Sequence, residues 1–200
     1  MINMPASSRV RRCIYGMVMA FLVSGCSLER DWRVEEVAGH LPDLEFTLTS
    51  DSGSPATAKT YSGYILLMYF GFTSCQAECP VSMARLAQVM RLLGKNADHV
   101  RILFVTLDPE NDAPSVLRSY LARFDSERAV GLTGPSNDIQ ALTKRYRAAY
   151  RPRSTIDKMS GITHGDAVYI FDSQGRARLL ATSSDSSEDL AKDIRRLLNH

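Results

Sequence analysis

The sequence predicts an α/β fold, a mixed central sheet flanked by helices, and three observations carry that prediction. Two apolar runs, 64–70 and 100–107, have the length and continuity of strands buried on both faces. Stretches with apolar residues at helical spacing alternate with the strands, the pattern of right-handed βαβ units. The last two predicted strands, 167–171 and 177–180, bracket Asp172-Ser173-Gln174-Gly175 and read as a hairpin, which adds antiparallel strands to the sheet.

The elements follow in order. Leu44, Phe46 and Leu48 alternate as in an edge strand, and Asp51-Ser52-Gly53-Ser54-Pro55 is a turn. After the strand at 64–70 comes the loop Gly71-Phe72-Thr73-Ser74. Pro80 suits the first turn of a helix, and Met83, Leu86, Val89, Met90 and Leu93 continue it until Gly94. The strand at 100–107 leads through Asp108-Pro109 to a helix over 113–124, which Asp112 is placed to cap. A short strand at 129–132 precedes a helix capped by Ser136 or Asn137 and ending near Ala149. Ser187 opens the last helix, with Leu190, Ile194 and Leu197 on one face. The order β, β, α, β, α, β, α, β, β, α is a thioredoxin-like plan. The polar segment 151–165 is too long for a simple connection, and such loops usually carry function.

Composition bounds the function. The 200 residues are 44% hydrophobic and 23% charged, with four Cys, which excludes disordered and disulfide-dense classes. Arg9, Arg11 and Arg12 sit in an N-terminal stretch without acids. Without them the chain holds 21 basic against 22 acidic groups, so nothing points to a nucleic-acid partner.

That N-terminal stretch reads as an address. The arginines form an n-region, residues 14–23 are an apolar h-region too short to span a bilayer, and Val23-Ser24-Gly25-Cys26 is similar to a bacterial lipobox. The expectation is a lipoprotein signal peptide over 1–25, lipidation of Cys26 and a lipid anchor in a bacterial membrane. The domain is then extracytoplasmic and faces the periplasm. An ordinary signal peptide with an incidental Cys is the plainer alternative. Residues 26–40, charged and carrying Trp32, read as a tether, and 41–200 as the domain. Cys13 leaves with the signal and Cys26 is consumed by lipid, so Cys75 and Cys79 remain as thiols in an oxidising compartment.

Gly71-Phe72-Thr73-Ser74-Cys75-Gln76-Ala77-Glu78-Cys79-Pro80 lies between a buried strand and a helix N-terminus, where backbone N–H groups favour thiolate. Four residues apart, the two Cys can be brought to one side by a single helical turn. Such a pair can close a redox disulfide or chelate a soft cation, Cu(I) or zinc. His164 is the best third ligand. It precedes its strand, so it reaches the rim carrying the Cys pair only if that strand runs antiparallel to its neighbours. A lone His satisfied by polar neighbours, and a purely structural disulfide, are the plainer alternatives.

Cys75-x-x-x-Cys79-Pro80 after a Gly-Phe-Thr loop, then Asp108-Pro109-Glu110-Asn111-Asp112-Ala113-Pro114, then His164 shortly before Val168-Tyr169-Ile170-Phe171-Asp172, resembles the Sco/SenC family from about Leu41 to the C-terminus. The resemblance implies a thioredoxin-like fold in a membrane-tethered, extracytoplasmic metallochaperone. It implies copper, as Cu(I) or Cu(II), held by Cys75, Cys79 and His164. It also implies a role in assembling the copper centre of cytochrome c oxidase, with a copper-receiving subunit as partner. Gln76 stands where the family usually has Pro, Thr163 where it usually has Asp, and Gly165 where it usually has Ser.

Other residues divide between support and background. Asp108, at the end of the second buried strand, is placed either to support the site from behind the ligands or to cap its loop. His40, His99 and His200 read as surface, and Met83 and Met90 as core. Lys144, Arg145, Arg147, Arg151 and Arg153 flank the His164 loop, and a solvated helix face is the first reading of that run. The competing function is a thiol-disulfide oxidoreductase using Cys75 and Cys79. Against it stand the Cys-x-x-x-Cys spacing and the absence of Pro from Ile162-Thr163-His164-Gly165. The third reading is a binding domain with a structural disulfide.

Overall fold

The structure, a computed structural model, describes residues 32–151 and 162–199. The expected signal peptide, Cys26, residues 27–31, Arg153 and His200 lie outside the described residues. In chain order the elements are β1 (Glu35–Glu36), β2 (Thr47–Ser50), β3 (Pro55–Thr57), β4 (Ile65–Gly71), α1 (Glu78–Leu93), β5 (Val100–Thr106) and α2 (Pro114–Leu121). Then come β6 (Ala129–Thr133), α3 (Ser136–Arg145), β7 (Tyr150–Arg151), β8 (Thr163–His164), β9 (Val168–Phe171), β10 (Ala177–Ala181) and α4 (Ser187–Leu198).

Eight strands form one sheet in the order β1-β10-β9-β4-β5-β6-β2-β3, and β7 pairs with β8 in a separate ribbon. The three wholly or largely apolar strands β4, β5 and β6 are parallel. β9 and β10 run antiparallel, as the closing hairpin requires. Every residue of β4 is buried, because helices cover both faces. Ile65, Leu67 and Tyr69 point to one face and pack with Met83, Leu86 and Val89 of α1, Leu117 of α2 and Ile194 of α4. Leu66, Met68 and Phe70 point to the other, with Ile139 and Leu142 of α3.

The structure corrects the expected tether at its C-terminal end. Residues 32–40 belong to the domain: Glu35 and Glu36 pair with β10 at the sheet edge, and Val34 and Val37 are buried. The wholly buried Asp193 carboxylate accepts the N–H groups of Arg33 at 2.6 Å and Val34 at 3.0 Å. The paired strand is only Glu35–Glu36, two charged residues, too short to carry an alternating pattern. β3 occupies the end of the expected turn, which makes β3 rather than β2 the outer strand. Ser136 is the first residue of α3, with Pro135 in the cap position, and the helix stops at Arg145. Arg147, at φ 53°, then turns the chain toward β7.

Candidate metal centre

Strand pairing brings the candidate ligands to one rim. β4 ends at Gly71, and the Leu107 N–H beyond β5 donates to the Gly71 carbonyl at 2.7 Å. The loop then turns, with the Cys75 N–H donating to the Phe72 carbonyl at 3.2 Å, before α1 starts at Glu78. Cys75 therefore lies ahead of the helix and only Cys79 lies on it. The pair converges through this bend, not through the single helical turn that the spacing suggested. Pro80 falls in the first turn, where its missing N–H has no intrahelical partner to lose.

β9 pairs antiparallel with β4, with Val168 opposite Tyr69. Antiparallel pairing makes the chain before Val168 run alongside Gly71 and Phe72, which is how a residue preceding its strand reaches the rim. His164 lands there. Its ring stands T-shaped to those of Phe72 and Tyr69, with centroids 5.6 and 6.0 Å away. Its Nδ1 donates to the Gly165 carbonyl at 2.7 Å, which leaves the Nε2 lone pair facing Cys79 Sγ at 3.2 Å.

Cys75 Sγ, Cys79 Sγ and a His164 ring nitrogen all lie within 4.8 Å of one another. Donors sharing one three-coordinate ion at about 2.0–2.3 Å are about 3.5–4 Å apart. With Cys79 Sγ and His164 Nε2 at 3.2 Å and no pair beyond 4.8 Å, the set fits a single soft ion after small adjustments. Both Cys are free thiols, Cys79 fully buried and Cys75 half-buried.

The two thiols are electrostatically unequal. Burial works against ionising Cys75, but the Cys79 N–H, the His164 side chain and the Ala77 N–H outweigh it and bring its pKa from 9.0 down to about 7. The Cys79 N–H donates to Cys75 Sγ at 3.5 Å. Deeper burial, with Cys75 as a negative neighbour, pushes Cys79 up to about 12. A metal ion must displace both protons, and the half-buried thiolate is the first point of contact.

Several supporting residues were not legible in the sequence. Gly71 is needed for close approach: a Cβ there would sit 2.9 Å from Cys79 Sγ and 3.0 Å from the Phe104 ring. A Gly closing an apolar strand directly before a Cys loop was the available signal. Asp112 does not cap a helix, since Ala113 holds the cap position and Asp112 is buried against the loop. Asp108 is 8% exposed, and its carboxylate accepts from Asn111 Nδ2 at 2.9 and 3.0 Å, which closes its own loop. Tyr150 lies opposite His164 across the β7–β8 ribbon, and exposed Lys144, Arg147 and Arg151 border that ribbon. His40 and His99 are exposed, Met83 and Met90 are core, and Gln76 is exposed.

Comparison with known proteins agrees with this architecture. The family model described as SCO1/SenC matches residues 38–199. A mouse relative, "Protein SCO2 homolog, mitochondrial", is 32% identical over 190 residues, covering 90% of this chain and 73% of the relative. A Rickettsia felis "SCO2-like protein" is 30% identical over 134 residues, and the match spans 65% of its length. Among solved structures, Bradyrhizobium japonicum ScoI with copper bound superposes with a TM-score of 0.69 at 32% identity, covering 78% of this chain and 98% of that one. On the fold, the matched span and the identity together, the chain belongs to the SCO1/SenC family.

Proposed function

We propose that this protein is a copper-binding metallochaperone, anchored through lipidated Cys26 to a bacterial membrane and facing the periplasm. In this reading it delivers copper to a copper-receiving subunit of cytochrome c oxidase. One observation carries the proposal: two thiols and an imidazole converge within 4.8 Å in a chain similar to a copper-bound relative. Thiolates and imidazole suit Cu(I), and the nitrogen extends the set to Cu(II). Structural zinc takes four protein ligands, and only three such groups gather among the described residues. Copper here is cargo. The chain's part is to hold Cys79 buried as an anchor while Cys75 and His164, both half-buried, keep one side open to a receiving ligand.

The inequality of Cys75 and Cys79 favours a second reading, a thiol-disulfide oxidoreductase with Cys75 as nucleophile and Cys79 as resolving thiol. One pair of mixing experiments separates the two. Copper-loaded protein is mixed with the metal-free, reduced copper-receiving domain, and metal-free reduced protein is mixed with the same domain oxidised. Delivery predicts transfer of copper in the first mixture. Appearance of domain thiols in the second, without transfer in the first, supports the oxidoreductase instead. For the anchor, the intact mass of membrane-extracted protein should show a diacylated chain beginning at Cys26, and an unmodified Cys26 sinks that part.

A further inference from the structure

Asp112 is 1% exposed and is not among the donor groups. Its carboxylate accepts three hydrogen bonds. Oδ2 accepts from the Thr73 N–H at 3.1 Å and the Thr106 hydroxyl at 2.5 Å, and Oδ1 accepts from the Thr73 hydroxyl at 2.5 Å. The Thr106 hydroxyl in turn accepts from the Asp108 N–H at 3.0 Å, and the Asp112 N–H donates to the Asp108 carbonyl at 2.9 Å. Burying a carboxylate is unfavourable unless its oxygens are fully bonded. Holding the start of α2 does not account for these bonds, because that helix has no side-chain cap.

The bonds fall on the segments that place the donors. Thr73 stands two residues before Cys75. Phe72, next to Thr73, presents its ring to His164. Thr106 ends β5 directly opposite Gly71, the residue against which Cys79 Sγ packs. We infer that Asp112 is the positioning residue of the metal centre: its buried carboxylate clamps the loop at Thr73 to the end of β5 at Thr106. The clamp fixes Cys75 directly, and His164 through Phe72, at the spacing one ion requires. The identity of the ion rests on the copper reading above; the clamp itself belongs to the metal-free protein.

Two readouts test it, one without metal. The first is exchange of the Cys75–Cys79 dithiol with oxidised glutathione, which yields the protein disulfide and two reduced glutathiones. The second is Cu(I) affinity by competition with a chromogenic chelator. Asp112→Ala removes both acceptor oxygens and with them the three hydrogen bonds. The loop then samples wider sulfur separations, so the disulfide closure constant falls about tenfold and Cu(I) affinity falls about 10- to 100-fold. Asp112→Asn is nearly isosteric. Its oxygen and amide can satisfy the Thr hydroxyls after one rotates, and both readouts return to within about threefold of wild type. Leu190→Ala, a core substitution on α4, which carries neither the donors nor the clamped segments, lowers the melting temperature and moves neither readout.

Folded Asp112→Ala with wild-type closure and affinity overturns the inference, as does Leu190→Ala matching its losses. If Asp112→Ala does not fold, Thr73→Val decides, since it keeps the side-chain shape and loses one donor: a several-fold fall in closure supports the clamp, and wild-type closure overturns it. If wild-type protein binds no copper, the proposed function fails while the glutathione readout still decides the role of Asp112.

Discussion

Gly71→Ala is the substitution by which the packing of the centre is most sharply tested. The added methyl would lie 2.9 Å from Cys79 Sγ and 3.0 Å from two atoms of the Phe104 ring, where ordinary contact begins near 3.4 Å. Sulfur and ring must each give way by about half an ångström, and both side chains are fully buried. Overpacking of this kind costs about 1–3 kcal/mol. In a domain of this size that lowers the melting temperature by roughly 2–12 °C. A half-ångström displacement of one donor is also the scale at which sites lose their geometry, so Cu(I) affinity should drop about 10- to 100-fold. Gly131→Ala is the control. Its methyl would meet Leu117 Cβ at 2.7 Å, within the fold and away from the ligands, so it should melt early and bind copper normally. The assay is thermal melting of metal-free protein beside Cu(I) competition for both variants. Wild-type affinity in Gly71→Ala, or an equal loss in Gly131→Ala, refutes the packing argument.

Three further outcomes follow from the same geometry. Alkylation of metal-free protein by iodoacetamide should label Cys75 with a half-point near pH 7, falling about tenfold per unit below it as the thiolate is protonated. Cys79 should stay unlabelled through pH 9, and peptide mapping with equal labelling would contradict the assigned inequality. Oxidising the Cys75–Cys79 pair should abolish copper uptake, because disulfide sulfurs are not the ligands, and unchanged uptake after full oxidation would remove the pair from the site. Asp193→Ala strips the acceptor from the N–H groups of Arg33 and Val34, so it should cost about 1–3 kcal/mol and shift Trp32 emission to the red; unchanged melting and emission would mean the N-terminal strap is held by other contacts.

The long apolar strands and the helical stripes were legible because burial imposes a period on the sequence, and the closing hairpin was legible from its turn residues. That hairpin also made the position of His164 derivable: an antiparallel β9 is the one arrangement that carries a residue preceding the strand to the Cys rim. What failed to show had no periodic signature. β1 and β3 are two and three residues long, and their pairing is decided by partners far along the chain. Asp112 stands where a helix cap would stand, and only the tertiary placement of Thr73 and Thr106 turns it inward. Cys75 and Cys79 have helical spacing, but the turn at Phe72 delays the helix until Glu78.

The copper reading makes Cys75, Cys79 and His164 one metal-binding set. Its most direct test is an anaerobic titration of the reduced domain with Cu(I) and Cu(II), wild type against His164→Ala, read by copper per protein and the Cu(II)–thiolate charge-transfer absorption. The copper reading predicts one copper per wild-type chain in either state. It predicts that His164→Ala keeps part of its Cu(I) binding on the two thiolates and loses most Cu(II) binding together with the wild-type absorption band. A His164→Ala variant with the wild-type Cu(II) spectrum and affinity would contradict it.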